Sequence, residues 1–454
     1  MQGTIQRGQE NSGILRLSSL LLFAAALAWS VCASAQTSHC LLYTSHTASP
    51  NPAEKIKFVV YLSRHGVRSP TGKPAQYNAY SAASWPDWDV PPGYLTAHGY
   101  QLMQIFGAYD RLLLSGEGLL SATGCEDAAR VTFYADSDQR TRETGKALAA
   151  GLFPGCAPAV KGIAEGTRDE LFHPLGAHHA SLDPALAVAA ISGRIGGNPN
   201  NPTEAYHTQL TELDRILGHC GHPATPAANR QSILEIPAKL TSGPGDHLAD
   251  LRGPLSTAST LTENLLLEYT ENMDVANVGW GCANGTNLRS LLELHTAASE
   301  FSQRPEPIAR AQASNLLHQI ALSLSQAEMG KPVAGAISGV SDRALFLIGH
   351  DTNIASIAGL LDLDWIADGR RDDTPPGGAL IFELWQPAAG GEDFVRVVYT
   401  TQTLEQMRSS TVLTSQNPPV RVPVFIPACS RADFSCSFPD FEWALKKLTA
   451  GSIP

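Results

Sequence analysis

Three short runs of apolar residues, rich in β-branched and aromatic side chains, punctuate the chain at 57–63 (KFVVYLS), 130–135 (RVTFYA) and 344–349 (ALFLIG). Runs of this length bounded by polar residues predict buried strands. Each is followed by a polar cluster and then by helical periodicity, over 139–152 after the second run and 353–361 after the third. Strand, polar turn and helix in repetition predict an α/β protein: a central mixed, mostly parallel sheet flanked by helices. Ligands of such sheets bind beyond the carboxyl ends of the strands, so the three polar clusters are expected to meet. Two further strands are predicted at 379–385 and 394–400, joined by the turn-rich PAAGGED. Helical patterns occupy 97–114, 204–217, 261–269, 288–301 and 308–325. Those between about 185 and 325 have few strands among them. They are expected to form a smaller α-helical lobe inserted between core segments of about 54–184 and 326–454, with the site between lobe and core.

The first 35 residues stand outside this pattern. Arg7 and Arg16 precede an apolar stretch over 17–31, and Ala33-Ser34-Ala35 gives the small-x-small sequence of a cleavable export signal. Fifteen apolar residues are short for a bilayer span, and no other stretch is long and apolar enough for one. The mature chain, 36–454, is therefore expected to be periplasmic or secreted, with no membrane partner. Loss of Arg7, Arg16 and Glu10 leaves 30 basic and 42 acidic residues, a formal charge of −12. An acidic surface disfavours nucleic acid, so an anion site here needs a strongly basic local pocket. The chain is expected to act as a monomer. Seven cysteines remain after Cys32 is removed, and an oxidising compartment makes disulfides the default reading. Cys429 and Cys436 enclose a short loop, and Cys125 and Cys156 flank one strand and helix. Both are expected pairs. Cys40, Cys220 and Cys282 are left, with Cys220–Cys282 a further candidate.

The polar clusters carry the chemistry. In Arg64-His65-Gly66-Val67-Arg68-Ser69-Pro70-Thr71, two arginines bracket a histidine where a strand ends. An imidazole ringed by guanidiniums suits attack on a phosphoryl group, because arginines bind its oxygens bidentately and neutralise developing charge. In Asp136-Ser137-Asp138-Gln139-Arg140-Thr141-Arg142, either aspartate could cap the helix and either arginine could reach the strand ends. His350-Asp351-Thr352-Asn353 offers a phosphate ligand beside a proton donor. Taken singly, each cluster also reads as a basic turn or a capped helix start.

Together, RHGxRxP near the mature N-terminus and HD near the C-terminus resemble the histidine acid phosphatases, and most closely the bacterial phytase-like members. The likeness extends through SRHGVRSPT, ADSDQRTRETG, LTENLLL, GHDTN, DDTPPGGALIFELW and TLEQMR. It implies a phosphoglycerate-mutase-like core and hydrolysis of phosphate monoesters at acid pH through a phosphohistidine, with phytate an expected substrate. By the same resemblance His65 is the nucleophile, and Arg64, Arg68, Arg140 and His350 hold the phosphate with Thr71 beside it. Asp351 protonates the leaving alcohol. No cofactor or metal is implied, since arginines supply the neutralisation a metal would otherwise give. A substrate contact is implied for Glu263, and contacts are considered for Thr352, Asp136 and Lys73. The family's phytases carry lysine directly after the threonine; here that position is Gly72, and Lys73 follows. Thr260 stands where they carry methionine. Cys125–Cys156 and Cys429–Cys436 fall where family bridges lie.

Other readings make different demands. A mutase-like transferase shares the RHG logic but lacks the export signal and the HD acid. A broad acid phosphatase on sugar or nucleotide monophosphates would keep every catalytic group. A non-catalytic exported anion-binding protein would need the arginines but not His65 and Asp351. His219-Cys220-Gly221-His222 has ligand types that suit zinc but lacks a fourth donor, and Asn284-Gly-Thr286 is a glycosylation sequon.

Overall fold

The computed structural model describes residues 53–221, 230–243 and 248–450. The export-signal stretch, Cys40 and His222 lie outside them. The main sheet holds eight strands: β1 (Glu54–Arg64), β2 (Val131–Ala135), β3 (Val160–Lys161), β6 (Ala344–Gly349), β9 (Ala379–Pro387), β10 (Phe394–Thr401), β11 (Val420–Val424) and β12 (Ser435–Ser437). Two small ribbons supply β4 (Lys239–Ser242) with β5 (Ala249–Arg252), and β7 (Ile366–Ala367) with β8 (Arg370–Arg371). The sheet order is β11-β10-β9-β1-β6-β2-β3, with β12 also on β10. β1, β6, β2 and β3 run parallel, whereas β9 to β12 pair antiparallel.

Alternation along β1 explains the layering. Phe58, Val60 and Leu62 face one side, where they join Leu316, Leu317 and Ile320 of the Glu306–Met329 helix and Ile354 and Ile357 of the Asp351–Leu361 helix. Val59 and Tyr61 face the other, against Phe106 of the Ala97–Gly116 helix and Leu148 and Leu152 of the Gln139–Leu152 helix. Both faces of the central strand are thus dry, as a near-continuous apolar run requires. Between β3 and β6 the chain is mostly helical. The Pro254–Thr270 helix contributes Leu261, Leu265 and Leu266 to a separate core that also buries Val67 and Leu102.

Several elements depart from the sequence reading. β1 begins at Glu54, three residues before the predicted run, and the 261–269 helix begins seven residues earlier at Pro254. The pattern over 288–301 is broken between Gly285–Leu291 and Glu293–Ser302, and that over 204–217 between Asn201–Ala205 and His207–Leu217. The 185–325 stretch also contains the β4–β5 ribbon.

Candidate active site

Strand register brings the three clusters to one level. Arg64 is paired with Gly349 across β1 and β6, and Ala135 with Ile348 across β2 and β6. The backbone continues the pattern: His65 N donates to Gly349 O at 3.0 Å, and Asp136 N to Ile348 O at 3.0 Å. Two helices begin here, Gln139–Leu152 and Asp351–Leu361, and their N-terminal ends add partial positive charge. The turn after His65 is tightly seated. A Cβ on Gly66 would lie 2.8 Å from Met103 Cγ, and one on Gly99 only 2.1 Å from Val67 O. The Gly66 amide is held by Thr144 Oγ1 at 2.9 Å.

His65 is buried, and its Nδ1 lies 2.9 Å from Gly66 O. A carbonyl can only accept, so Nδ1 carries the hydrogen and Nε2 keeps its lone pair. Burial, followed by the charges of Arg140, Arg64 and Arg68, holds the imidazole well below its usual pKa. These surroundings favour the neutral ring, whose Nε2 lone pair is free.

Arg64 is 0% exposed. One of its nitrogens reaches Thr374 O at 2.5 Å, and another pairs with Glu263 and, at 3.1 Å, with Asp351 Oδ2. Arg68 approaches the same Glu263 oxygen at 3.4 Å. Burial lowers the Arg68 guanidinium to about 10, with Glu263 opposing and Arg64 adding to the shift, so it stays charged throughout the acid range. Of the two arginines left open by the second cluster, Arg140 turns inward, 3.5 Å from His350 Nδ1 and 2.5 Å from Asp138. Arg142 turns away to Ile163 O at 3.0 Å. Neither aspartate caps the helix through its side chain: Asp138 occupies the N-cap position, but its carboxylate goes to Arg140.

Asp136, considered as a substrate contact, is instead sealed at 0% exposure. One oxygen accepts from His350 Nε2 at 2.6 Å and from His173 Nε2 at 2.8 Å. Burial opposes ionisation, but the two histidine bonds prevail and hold the carboxyl far below its usual range. Its effect on the site is to orient His350, turning Nδ1 toward Arg140. Although these three side chains are close enough to hold a metal ion, the hydrogen bonds account for their placement.

Asp351 is partly exposed at the first turn of its helix, with Thr352 N donating to Oδ1 at 2.8 Å. Burial works against ionisation, but Arg64 and then His295 hold the carboxyl well below the ordinary aspartate range. Thr71 and Lys73 are exposed on the rim, as is Thr352. A methyl on Gly93 would come within 3.6 Å of both Thr71 Cγ2 and Arg140 Nη1, so Thr71 flanks that arginine. The Gly72 amide donates to Tyr77 Oη at 2.8 Å, and a Cβ there would meet that oxygen at 2.3 Å. Glycine at this position is what lets Tyr77 close on the turn. Glu263, at 5% exposure, directs one oxygen to the two arginines.

Two groups escaped the sequence reading. His173 supports Asp136 from a loop, and His295, on the Glu293–Ser302 helix, stands 3.5 Å from Asp351 Oδ2. A single histidine in LLELHTAA reads as part of an amphipathic helix, so only the tertiary fold brings it to the site.

A neutral imidazole with one free nitrogen, three converging arginines and a carboxyl group across from them are now in place. Residues 55–400 match the model of the histidine phosphatase superfamily, branch 2. The chain belongs to this family. It is 36% identical over 404 residues to phytase AppA of Escherichia coli, covering 87% of this chain and 92% of that protein. To a glucose-1-phosphatase of Providencia rettgeri it is 28% identical over 396 residues, covering 86% and 91%. The solved structure of a Hafnia alvei phytase with myo-inositol hexakis sulphate superposes with a TM-score of 0.79 at 33% identity, over 88% of this chain and 99% of that one.

Cys125–Cys156, Cys429–Cys436 and Cys220–Cys282 are bonded pairs. Among the described residues no helix is long and apolar enough to cross a membrane.

Proposed function

We propose that the chain hydrolyses phosphate monoesters in acid through a phosphohistidine at His65, and that phytate is among its substrates. The observation carrying this reading is the His65 ring, with Nδ1–H committed to Gly66 O and Nε2 free, buried beside Arg64, Arg68, Arg140 and His350. The three arginines hold the phosphoryl oxygens and take up the charge that develops on them. Nε2 forms a bond to phosphorus as the bond to the ester oxygen breaks, and Asp351 gives that oxygen a proton. Water then attacks phosphorus and the P–N bond breaks. Asp351 recovers a proton from the water, and inorganic phosphate leaves.

Arg64 and His295 favour the ionised form of Asp351, so its proton must arrive with substrate binding or from a neighbour. A phosphate group on Arg64 offsets the cation that keeps Asp351 charged, which raises its affinity for a proton. Phosphate monoesters also bring a proton of their own below their second pKa of about 6. Both effects favour turnover in acid. His350 faces the site through Nδ1, and it can donate to a phosphate oxygen once protonated.

Phytate is supported by the AppA and Hafnia relatives, and export by the N-terminal pattern together with the bonded cysteines. The test is hydrolysis of p-nitrophenyl phosphate and phytate from about pH 2.5 to 7 with EDTA, for the wild type and Asp351→Asn. Both substrates are expected to turn over in acid. The variant should lose about 10²–10⁴-fold on phytate and far less on the aryl ester, whose leaving group needs little help from an acid. Equal losses would remove Asp351 as proton donor. Turnover of the aryl ester alone would move the substrate to smaller phosphates.

A further inference from the structure

We propose that His295 is the positioning residue of the proton donor: it holds, between Asp351 and Glu263, the proton that Asp351 passes to the leaving alcohol. This inference rests on the hydrolase reading above and adds a source for its proton.

The imidazole sits on the Glu293–Ser302 helix with its side chain 14% exposed. Nδ1 lies 3.1 Å from Ser259 Oγ. Nε2 faces two carboxylates, Asp351 Oδ2 at 3.5 Å and Glu263 Oε2 at 4.0 Å. Nε2 and Glu263 Oε2 are both buried without a direct hydrogen-bond partner. A bare lone pair aimed at two anions would be repelled, whereas an N–H bond is attracted to both. The surrounding charges are Glu263 from the Pro254–Thr270 helix, Asp351 from its own helix, and Arg64 from β1, which opposes protonation. Burial opposes it as well, and the two carboxylates prevail, holding His295 above its ordinary value. The neighbouring Asp351 is held below its own. His295, set between the two carboxylates, is therefore the group placed to hold a proton beside Asp351.

Substrate changes that balance. When the phosphate group engages Arg64, Asp351 loses its strongest stabilising cation, and the proton moves from His295 Nε2 to Asp351 Oδ2. Asp351 gives it to the ester oxygen as the N–P bond forms and the P–O bond breaks. In the second half, water surrenders a proton to Asp351 as its oxygen bonds to phosphorus and the N–P bond breaks, and that proton returns to His295. Monoester and water are consumed, alcohol and phosphate are released, and the histidine is restored. His295 touches none of the reacting atoms and acts through Asp351.

The test compares wild type, His295→Gln and Ser259→Ala in kcat/KM from pH 3 to 8 on glycerol 2-phosphate and p-nitrophenyl phosphate, with inhibition by inorganic phosphate as a gauge of binding. Glutamine can still donate to Asp351 but holds no exchangeable charge. His295→Gln is expected to move the alkaline limb for the alkyl ester to lower pH by about one unit, with a loss of about 10–100-fold at pH 6. The aryl ester and phosphate inhibition should stay within about threefold, since neither calls on the acid. Ser259→Ala should move the limb in the same direction by less, because it removes an acceptor from the protonated ring. Superimposed profiles, or equal losses on both esters at every pH, would overturn the proposal. Should His295→Gln fail to fold, an unmoved limb in Ser259→Ala would do the same. A wild type inactive on both esters would instead remove the hydrolase reading itself.

Discussion

At the scale of single residues the site is a problem of buried charge. Arg64 is wholly enclosed, and such a cation is tolerable because Asp351 and Glu263 pair with it and Thr374 O accepts from it. Glu263→Ala would leave two arginines crowded without their shared anion. Removing one partner of a buried pair costs about 3–5 kcal/mol, so a clear drop in melting temperature is expected. Inorganic phosphate can stand in for the lost anion and should raise the melting temperature of the variant more than that of the wild type. An equal rise in both would contradict the account. The sequence made His65, Arg64, Arg68, His350 and Asp351 legible because each adjoins a strand end, and strand ends converge. Asp136 illustrates the limit. It adjoins a strand end too, but its side chain points beneath His350 and meets His173, which arrives from a loop with no periodic signal. His295 was hidden for a related reason, being one polar position on an otherwise ordinary helix.

At the scale of elements, what counts is how helices press on the sheet. The Ala97–Gly116 helix seats Gly99 against Val67, directly after the turn that holds His65, and also carries Asp110, 2% exposed, onto β1 beside Tyr61. Burial pushes the Asp110 carboxyl up to about 8 against the pull of Arg421 and the Tyr61 hydrogen bond. A folded pKa raised above the unfolded value of about 3.9 means stability that is complete below the latter and is lost as pH climbs to about 8. Glu268, raised to about 8, and Glu271, raised to about 7 while accepting from Thr96 Oγ1 at 2.6 Å, act in the same sense. Melting curves from pH 4 to 8 should therefore show declining stability in the wild type. The decline should be shallower in Asp110→Asn, and parallel slopes would exclude this contribution. The central strands were readable because their apolar runs are continuous. β11 and β12 were not: β11 contains a proline and has little buried surface, and β12 has only three residues. The breaks within the predicted helices fall at Leu292 and Tyr206, where no side chain caps the helix that follows, so no capping residue marks them in the sequence.

For the whole molecule, an acidic chain encloses a basic pocket, and the two halves of its titration oppose each other. Asp136, Glu263 and Asp351 are held low by their partners and contribute stability that is lost as pH falls through their depressed values. The raised carboxyls work in the other direction, so both sets favour a mildly acidic medium, the one in which His65 is neutral and a phosphate monoester carries its own proton. The fold brings Arg64, His65 and Arg68 from the end of β1 together with Arg140 from the helix after β2 and Asp351 from the helix after β6, and the proposed chemistry depends on their meeting. The most direct test of that account is to quench the enzyme during turnover in alkali, which preserves phosphohistidine, and to locate the phosphoryl group by peptide mass spectrometry. A phosphoryl increment on the peptide containing His65, absent together with all turnover in His65→Ala, is the expected result. Turnover that survives in His65→Ala, or phosphate found on another residue, would contradict it.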